Sequence, residues 1–241
     1  MQLLVSVSNA GEADAALDGG ADIVDAKDPA SGPLGPVTLE TFEAIRHCVA
    51  DARPLSAALG DPADEDAAYR MASAFVRSGA HFVKAGVLAA RDLDEVSGLL
   101  TATVNGAADG AQPRASRSGT YHGAIAVAYA DHQGVVTPWQ LIDVARRTGA
   151  RGILLDTANK IGPGLLALMS STDLRKWIQE ASSAGLLVAV AGRLTPDDVM
   201  QLRDSGADII GVRGAACVGG RTGRVSADQV RQLKALERRS V

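Results

Sequence analysis

The chain has 241 residues, 46% of them hydrophobic and 22% charged, a balance that suits one large α/β core and excludes a disordered or fibrous polypeptide. A net charge of -4 and only 3% aromatics leave no basic footprint or stacking platform for nucleic acid. No run approaches the roughly 18 apolar residues of a membrane span, and the first residues lack the basic start of a secretory leader, so a cytoplasmic protein with neither nucleic acid nor membrane as partner is expected.

Taken in chain order, short apolar runs at 3–7, 22–27, 55–59, 82–84, 124–128, 152–156, 186–190 and 208–212 read as buried parallel strands. Small-residue junctions precede several of them: Gly19-Gly20-Ala21-Asp22, Ser78-Gly79-Ala80-His81, Thr148-Gly149-Ala150-Arg151, Ala184-Gly185 and Ser205-Gly206-Ala207-Asp208. Glycine there suits a helix C-cap, where the backbone turns left-handed. Amphipathic segments at 39–49, 67–77 and 195–203 lie between the runs. Eight β/α units in about 250 residues predict an α/β fold of the (β/α)8 TIM-barrel type, with one domain over 1–241. A doubly wound open sheet would carry a Gly-rich turn after its first strand, and this chain has Ser8-Asn9-Ala10-Gly11 there instead. The low-complexity stretch 105–119 predicts a flexible surface loop before the fifth strand, on the face away from the site. Cys48 and Cys217 form no metal-spaced cluster and read as core or loop thiols.

Only five of the 24 basic residues are lysines, and Lys27, Lys84 and Lys160 stand where apolar runs give way to loops. Arginine stays protonated, whereas a desolvated lysine, or one beside another cation, loses its proton and becomes a nucleophile or base. Barrel active sites lie at the C-terminal ends of strands, which turns these positions into candidates. Alternation along the second strand puts Asp25 and Lys27 on one face, and the sixth run ends at Asp156 with Lys160 shortly after it. Any single strand-end Lys and Asp is as well explained by a structural ion pair. Three amines and two carboxylates converging on one cavity point to Schiff-base chemistry.

A second constellation ends the chain. Gly192 and Arg193 follow the seventh strand, Arg213 and Gly214 follow the eighth, and these loops are where barrels commonly hold a phosphate on backbone N–H groups. The two arginines add charge-assisted hydrogen bonds, and Gly219-Gly220-Arg221 offers a second anion contact. A small phosphorylated substrate is therefore expected. His122, Tyr129, Asp131 and His132 flank the fifth strand without matching a strong metal motif, so no metal is expected and Asp131 is a candidate substrate contact.

Several phrases together carry a resemblance: Leu3-Leu4-Val5-Ser6, Asp25-Ala26-Lys27-Asp28-Pro29, Gly32-Pro33-Leu34-Gly35, Ser56-Ala57-Ala58-Leu59-Gly60-Asp61, Val83-Lys84-Ala85-Gly86, Tyr129-Ala130-Asp131, Leu155-Asp156-Thr157-Ala158 and Gly211-Val212-Arg213-Gly214-Ala215-Ala216-Cys217. Over nearly its whole length the chain resembles the (5-formylfuran-3-yl)methyl phosphate synthase family, which makes the furan unit of methanofuran. The resemblance implies a lyase that condenses two molecules of glyceraldehyde 3-phosphate into a phosphorylated furan aldehyde, with loss of phosphate and water. Lys27 then matches the family's Schiff-base lysine and Lys84 its proton-accepting lysine, with Asp25, Asp156 and Lys160 as further residues of the polar cavity. The imine serves as the electron sink, so no cofactor is implied. A homo-oligomer is compatible with the sequence. Two alternatives stand beside this: another lysine-dependent barrel acting on a phosphorylated sugar, such as a class I aldolase or decarboxylase, and a non-catalytic barrel that only binds a phosphometabolite. The decarboxylase pattern Asp-x-Lys-x-x-Asp is broken here, because Ala30 stands at its last position.

Overall fold

The computed structural model describes residues 1–111, 122–132 and 134–237. Eight parallel strands among them close into a barrel in sequence order: β1 (Gln2–Val7), β2 (Ile23–Ala26), β3 (Leu55–Ala58), β4 (Phe82–Gly86), β5 (Gly123–Tyr129), β6 (Gly152–Asp156), β7 (Leu187–Val190) and β8 (Ile209–Val212). β1 pairs with both β2 and β8, so the sheet has no edge. The expected (β/α)8 architecture is the one observed. The strands are buried on both faces, which is why they read as continuous apolar runs rather than alternating ones.

Helices form the outer layer: α1 (Ala10–Asp18), α2 (Leu39–Val49), α3 (Glu65–Arg77), α4 (Leu93–Ala111), α5 (Pro138–Thr148), α6 (Leu165–Leu168), α7 (Ser171–Ser183), α8 (Pro196–Leu202) and α9 (Ala227–Glu237). Their starts follow from local chemistry. Asn9, Thr38, Asp64, Thr137, Ser170 and Thr195 each accept a backbone N–H of the first turn, and Pro138 and Pro196 sit at first-turn positions that need no donor. Gly20, Gly79, Gly149, Gly185 and Gly206 all take positive φ where helix gives way to strand, as the junction pattern requires. Phe42 of α2 and Phe75 of α3 meet edge to face at 5.2 Å, and Trp177 is fully buried with its Nε1 donating to Pro138 O. Two short strands, β9 (Cys217–Val218) and β10 (Arg224–Val225), pair antiparallel in the loop after β8. Among the described residues no helix is long and apolar enough to cross a membrane.

One expectation is corrected. Residues 105–111 are not loop but the last two turns of α4, while 112–119 lie outside the described residues. The glycines that look like flexibility in the sequence serve close packing instead. A Cβ on Gly106 would stand 2.3 Å from Tyr69 O, and one on Gly110 would stand 2.7 Å from Ser73 O, so their absence lets α4 lie directly against the α3 backbone. Tyr69 then reaches across to donate its hydroxyl to Asp109 at 2.6 Å.

Candidate active site

The register of the first strands builds the site. β1, β2 and β3 align so that Ser6 lies beside Asp25 and Asp25 beside Ser56. The three side chains point inward abreast, and the Asp25 carboxylate accepts Ser6 Oγ at 2.8 Å and Ser56 Oγ at 2.6 Å. From β4, Lys84 reaches past β3 to the same carboxylate, Nζ to Oδ2 2.6 Å. Both partners are buried, so the pair is shielded from the solvent that weakens surface ion pairs.

Lys27 follows on the same face two residues after Asp25, where β2 has ended. Its Nζ lies 3.9 Å from Oδ2 of Asp156, the last residue of β6. The other Asp156 oxygen accepts Lys160 Nζ at 2.6 Å and the Thr157 N–H at 2.8 Å. Burial pushes the Lys27 amine down to about 7; Lys160 and Lys84 act in the same direction, and Asp156 and Asp25 oppose it. At Asp156 burial by itself would raise the carboxyl, but the charges of Lys160 and Lys27, with the hydrogen bonds from Lys160 and Thr157, hold it below its ordinary value. A buried amine that exchanges its proton near neutrality is chemically a nucleophile held in reserve.

Ser6, Lys27, Ser56, Lys84, Asp156 and Lys160 edge a cavity of about 470 Å³ that opens at the C-terminal ends of the strands. Its rim includes Gly192, Arg193, Gly214 and Arg221. Gly192 has φ +108, and a Cβ there would stand 3.0 Å from Thr157 Cγ2, so only glycine lets the β7 loop press against the loop after β6. Arg193, itself at φ 55, is exposed on the rim and makes no hydrogen bond or ion pair among the described residues. Its guanidinium is available to an anion.

The family profile described as 4-HFC-P synthase matches residues 3–234. The chain belongs to that family. It is 36% identical over 241 residues to the (5-formylfuran-3-yl)methyl phosphate synthase of Methanothermobacter thermautotrophicus, covering 98% of each chain. It is 34% identical over 241 residues to the synthase of the same name from Methanocaldococcus jannaschii, covering 98% of this chain and 99% of that one. Among solved structures, KGPDC from Streptococcus mutans superposes with a TM-score of 0.66 at 15% identity, covering 98% of this chain and 96% of that one. A 3-hexulose-6-phosphate synthase gives a TM-score of 0.63 at 18% identity, over 98% and 99% of the two chains. These two likenesses are of fold alone.

Against this family background, Lys27, Lys84, Asp156 and Lys160 all line one cavity, from β4, β6 and the loops after β2 and β6, while Asp25 is fully buried behind Lys84 and reaches the cavity only through it. Gly192, Arg193 and Gly214 lie on the rim, and Arg213 lines the cavity as well, but its guanidinium is already taken up by the protein. All five of its N–H donors meet protein acceptors: Nε to Arg221 O, Nη1 to Ser6 O and Glu12 Oε2, and Nη2 to Glu12 Oε1 and Gly223 O, at 2.5 to 3.0 Å. Its side chain is a framework clamp. Arg221 likewise donates to the carbonyls of Pro29 and Gly32, tying the loop after β8 to the loop after β2. Asp131 accepts from the backbone of Ala158 at 2.6 Å and Asn159 at 2.7 Å, so it holds the loop that carries Lys160 rather than a substrate. His122 stacks on His81 at the opposite end of the barrel from Asp131 and His132. Among the described residues no group of three or more His, Cys, Asp or Glu is placed to hold a metal ion.

Ser6, Ser56, Thr157 and Glu12 were not singled out from the sequence. Ser6, Ser56 and Thr157 sit within phrases of the family resemblance and Glu12 in none of them, but a serine inside an apolar strand becomes a carboxylate ligand only through strand register, which is a tertiary property.

Proposed function

We propose that this protein condenses two molecules of glyceraldehyde 3-phosphate into (5-formylfuran-3-yl)methyl phosphate through an imine at Lys27, as a lyase that supplies the furan of a methanofuran-type cofactor. The observation that carries the proposal is the Lys27 amine, buried in the cavity and lowered to about 7, with a second lysine–carboxylate pair on either side. Lys27 attacks the carbonyl carbon of one triose phosphate, and loss of water gives a cationic imine. That cation acidifies the adjacent C–H bond. Lys84, held by Asp25, is the group positioned to take the proton, and the enamine so formed attacks the aldehyde of the second triose. Lys160 and Asp156 sit on the other side of Lys27 and serve the later proton transfers. Gly192, Arg193 and Gly214 receive a substrate phosphate at the rim, with the Arg193 guanidinium as its cationic partner. The sum balances as two glyceraldehyde 3-phosphates giving one furan aldehyde phosphate, one inorganic phosphate and two waters. No net redox change occurs, so the residues described suffice without a redox cofactor.

The test uses the purified protein with glyceraldehyde 3-phosphate as the sole substrate, following furan-aldehyde absorbance and phosphate release together. Both signals in a one-to-one ratio are expected. Folded protein that yields neither refutes the proposal.

A further inference from the structure

Resting on that reading, we infer that the lower barrel interior is a second, apolar subsite that receives the ring as it dehydrates. The cavity does not stop at the layer of Lys27, Lys84 and Asp156. It continues down between Leu4, Ile23, Ile125, Leu154 and Ile209, as far as Phe82 and Leu187 at the N-terminal ends of β4 and β7. Residual exposure supports this independently. Among the inward-pointing residues, those that line the cavity keep some surface, Leu4 and Ala189 9% and Ile125 6%, whereas Ala58 and Val127, which do not line it, keep none, as do Leu3, Val5 and Leu155, which face the helices. A filled barrel interior would make the inner layer the drier of the two, because barrel interiors are normally packed with bulky branched side chains.

The space comes from small residues under the β7 and β8 loops. Ala189 and Ala191 project inward from the β7 side, and Gly211 of β8 has no side chain; a Cβ there would first meet Ala191 Cβ at 3.3 Å and Leu4 Cδ2 at 3.6 Å. Each of these positions in turn leaves room where a branched side chain would close the floor.

The chemistry assigns the occupant. The trioses are hydroxylated and strongly hydrated, and binding them against a wall of Leu, Ile and Phe leaves their hydroxyls without partners. The product ring has lost those hydroxyls as water. A planar furan gains from the same wall in proportion to the apolar area it removes from water. An apolar chamber therefore binds the later species better than the earlier ones and draws the eliminations forward, while Lys160 and Asp156 at its mouth serve their proton transfers. Lys27 stands at the junction, with the phosphate rim above it and the chamber below.

Two variants fill the chamber without touching a polar group: Ala189→Leu and Gly211→Val. With glyceraldehyde 3-phosphate and borohydride, both are expected to give the Lys27 adduct to the wild-type extent, while furan formation falls at least tenfold. Folded variants that make furan within twofold of wild type overturn the inference. Should either variant misfold, saturation-transfer NMR with 2-methylfuran on the wild-type protein decides: binding that glyceraldehyde 3-phosphate alone does not displace supports the chamber, and no binding overturns it. Wild-type protein that forms neither adduct nor furan refutes the furan-synthase reading instead, and 2-methylfuran binding still judges the chamber as an apolar ring site.

Discussion

A lysine ammonium taken out of water loses hydration that a carboxylate 3.9 Å away does not restore, and two further ammonium groups nearby add repulsion. Lys27 is thus driven toward the free amine, while Lys84 and Lys160 each keep a carboxylate at 2.6 Å. The proposal of Lys27 as the nucleophile rests on this difference. Lys27→Arg preserves charge but offers no nucleophilic amine at any accessible pH; borohydride should trap no adduct and furan formation should fall by about 10³ or more, as expected for loss of covalent catalysis. Residual turnover within tenfold of wild type would sink the imine. The pH profile follows from the same shift. Trapping at Lys27 should rise with pH through a midpoint near 7, and Asp156→Asn, which removes the carboxylate that raises the amine, should move that midpoint to lower pH. Stability carries the matching sign. The folded amine titrates at about 7 against an ordinary value of 10.5, so between them the unfolded chain binds more protons and stability rises with pH. Lys27→Met should therefore raise Tm more at pH 6 than at pH 9, and a gain that is equal at both would contradict a buried ammonium at the lower pH.

At the scale of an element, α4 separates what a sequence pattern conveys from what packing decides. Its N-terminal half is amphipathic, but Asn105-Gly106-Ala107-Ala108-Asp109-Gly110 looks like a linker, because glycine lowers helix propensity by about 1 kcal/mol relative to alanine. Nothing in the local sequence announces that α3 presents its backbone at those positions. Propensity predicts that Gly→Ala stabilises the helix, and close approach predicts the reverse where backbone is in the way. For Gly106 the obstacle is Tyr69 O at 2.3 Å, and separating two packed helices costs roughly 1–3 kcal/mol. For Gly98 the nearest atoms belong to the far end of the Glu65 side chain, which swings aside. Gly106→Ala should lower Tm by several degrees while Gly98→Ala leaves it unchanged or higher, both read by thermal unfolding. Equal effects would remove the packing explanation for the corrected loop.

Across the whole molecule, the barrel was legible because its strands are short, largely buried and announced by small-residue junctions, and because the fold itself directs attention to strand ends, where Lys27 and Asp156 stand; the fourth run reads as ending at Lys84, but β4 continues to Gly86 and places Lys84 mid-strand. What links distant segments was not legible. Ser6 and Ser56 gain their meaning from lateral register, and Arg213 gains its partner from 201 residues away. That last contact bears on closure of the barrel. Arg213 follows β8, binds Ser6 O on β1 and Glu12 on α1, and gathers the carbonyls of Arg221 and Gly223, so its side chain adds to the β1–β8 ladder at the seam between first and last strands and fixes the loop bearing Gly214. Both members of the ion pair are buried. Removing one partner leaves the other charge uncompensated, which costs about 3–5 kcal/mol, whereas replacing both with apolar groups is nearly neutral in favourable cases. Glu12→Gln and Arg213→Met should therefore each destabilise strongly, and the double variant should be markedly less destabilised than the sum of the two. At Glu12 burial opposes ionisation, but Arg213 and the Ser8 hydrogen bonds outweigh it and hold the carboxyl below 4.5. Its stabilising contribution is complete above that value and lost as pH falls through the folded one. Urea unfolding of the four proteins at neutral pH tests the coupling, and additive losses would mean that the seam is held elsewhere. In the Glu12→Gln protein the loosened loop should raise KM for the phosphorylated substrate while adduct trapping at Lys27 persists, since the clamp touches neither the amine nor its carboxylate.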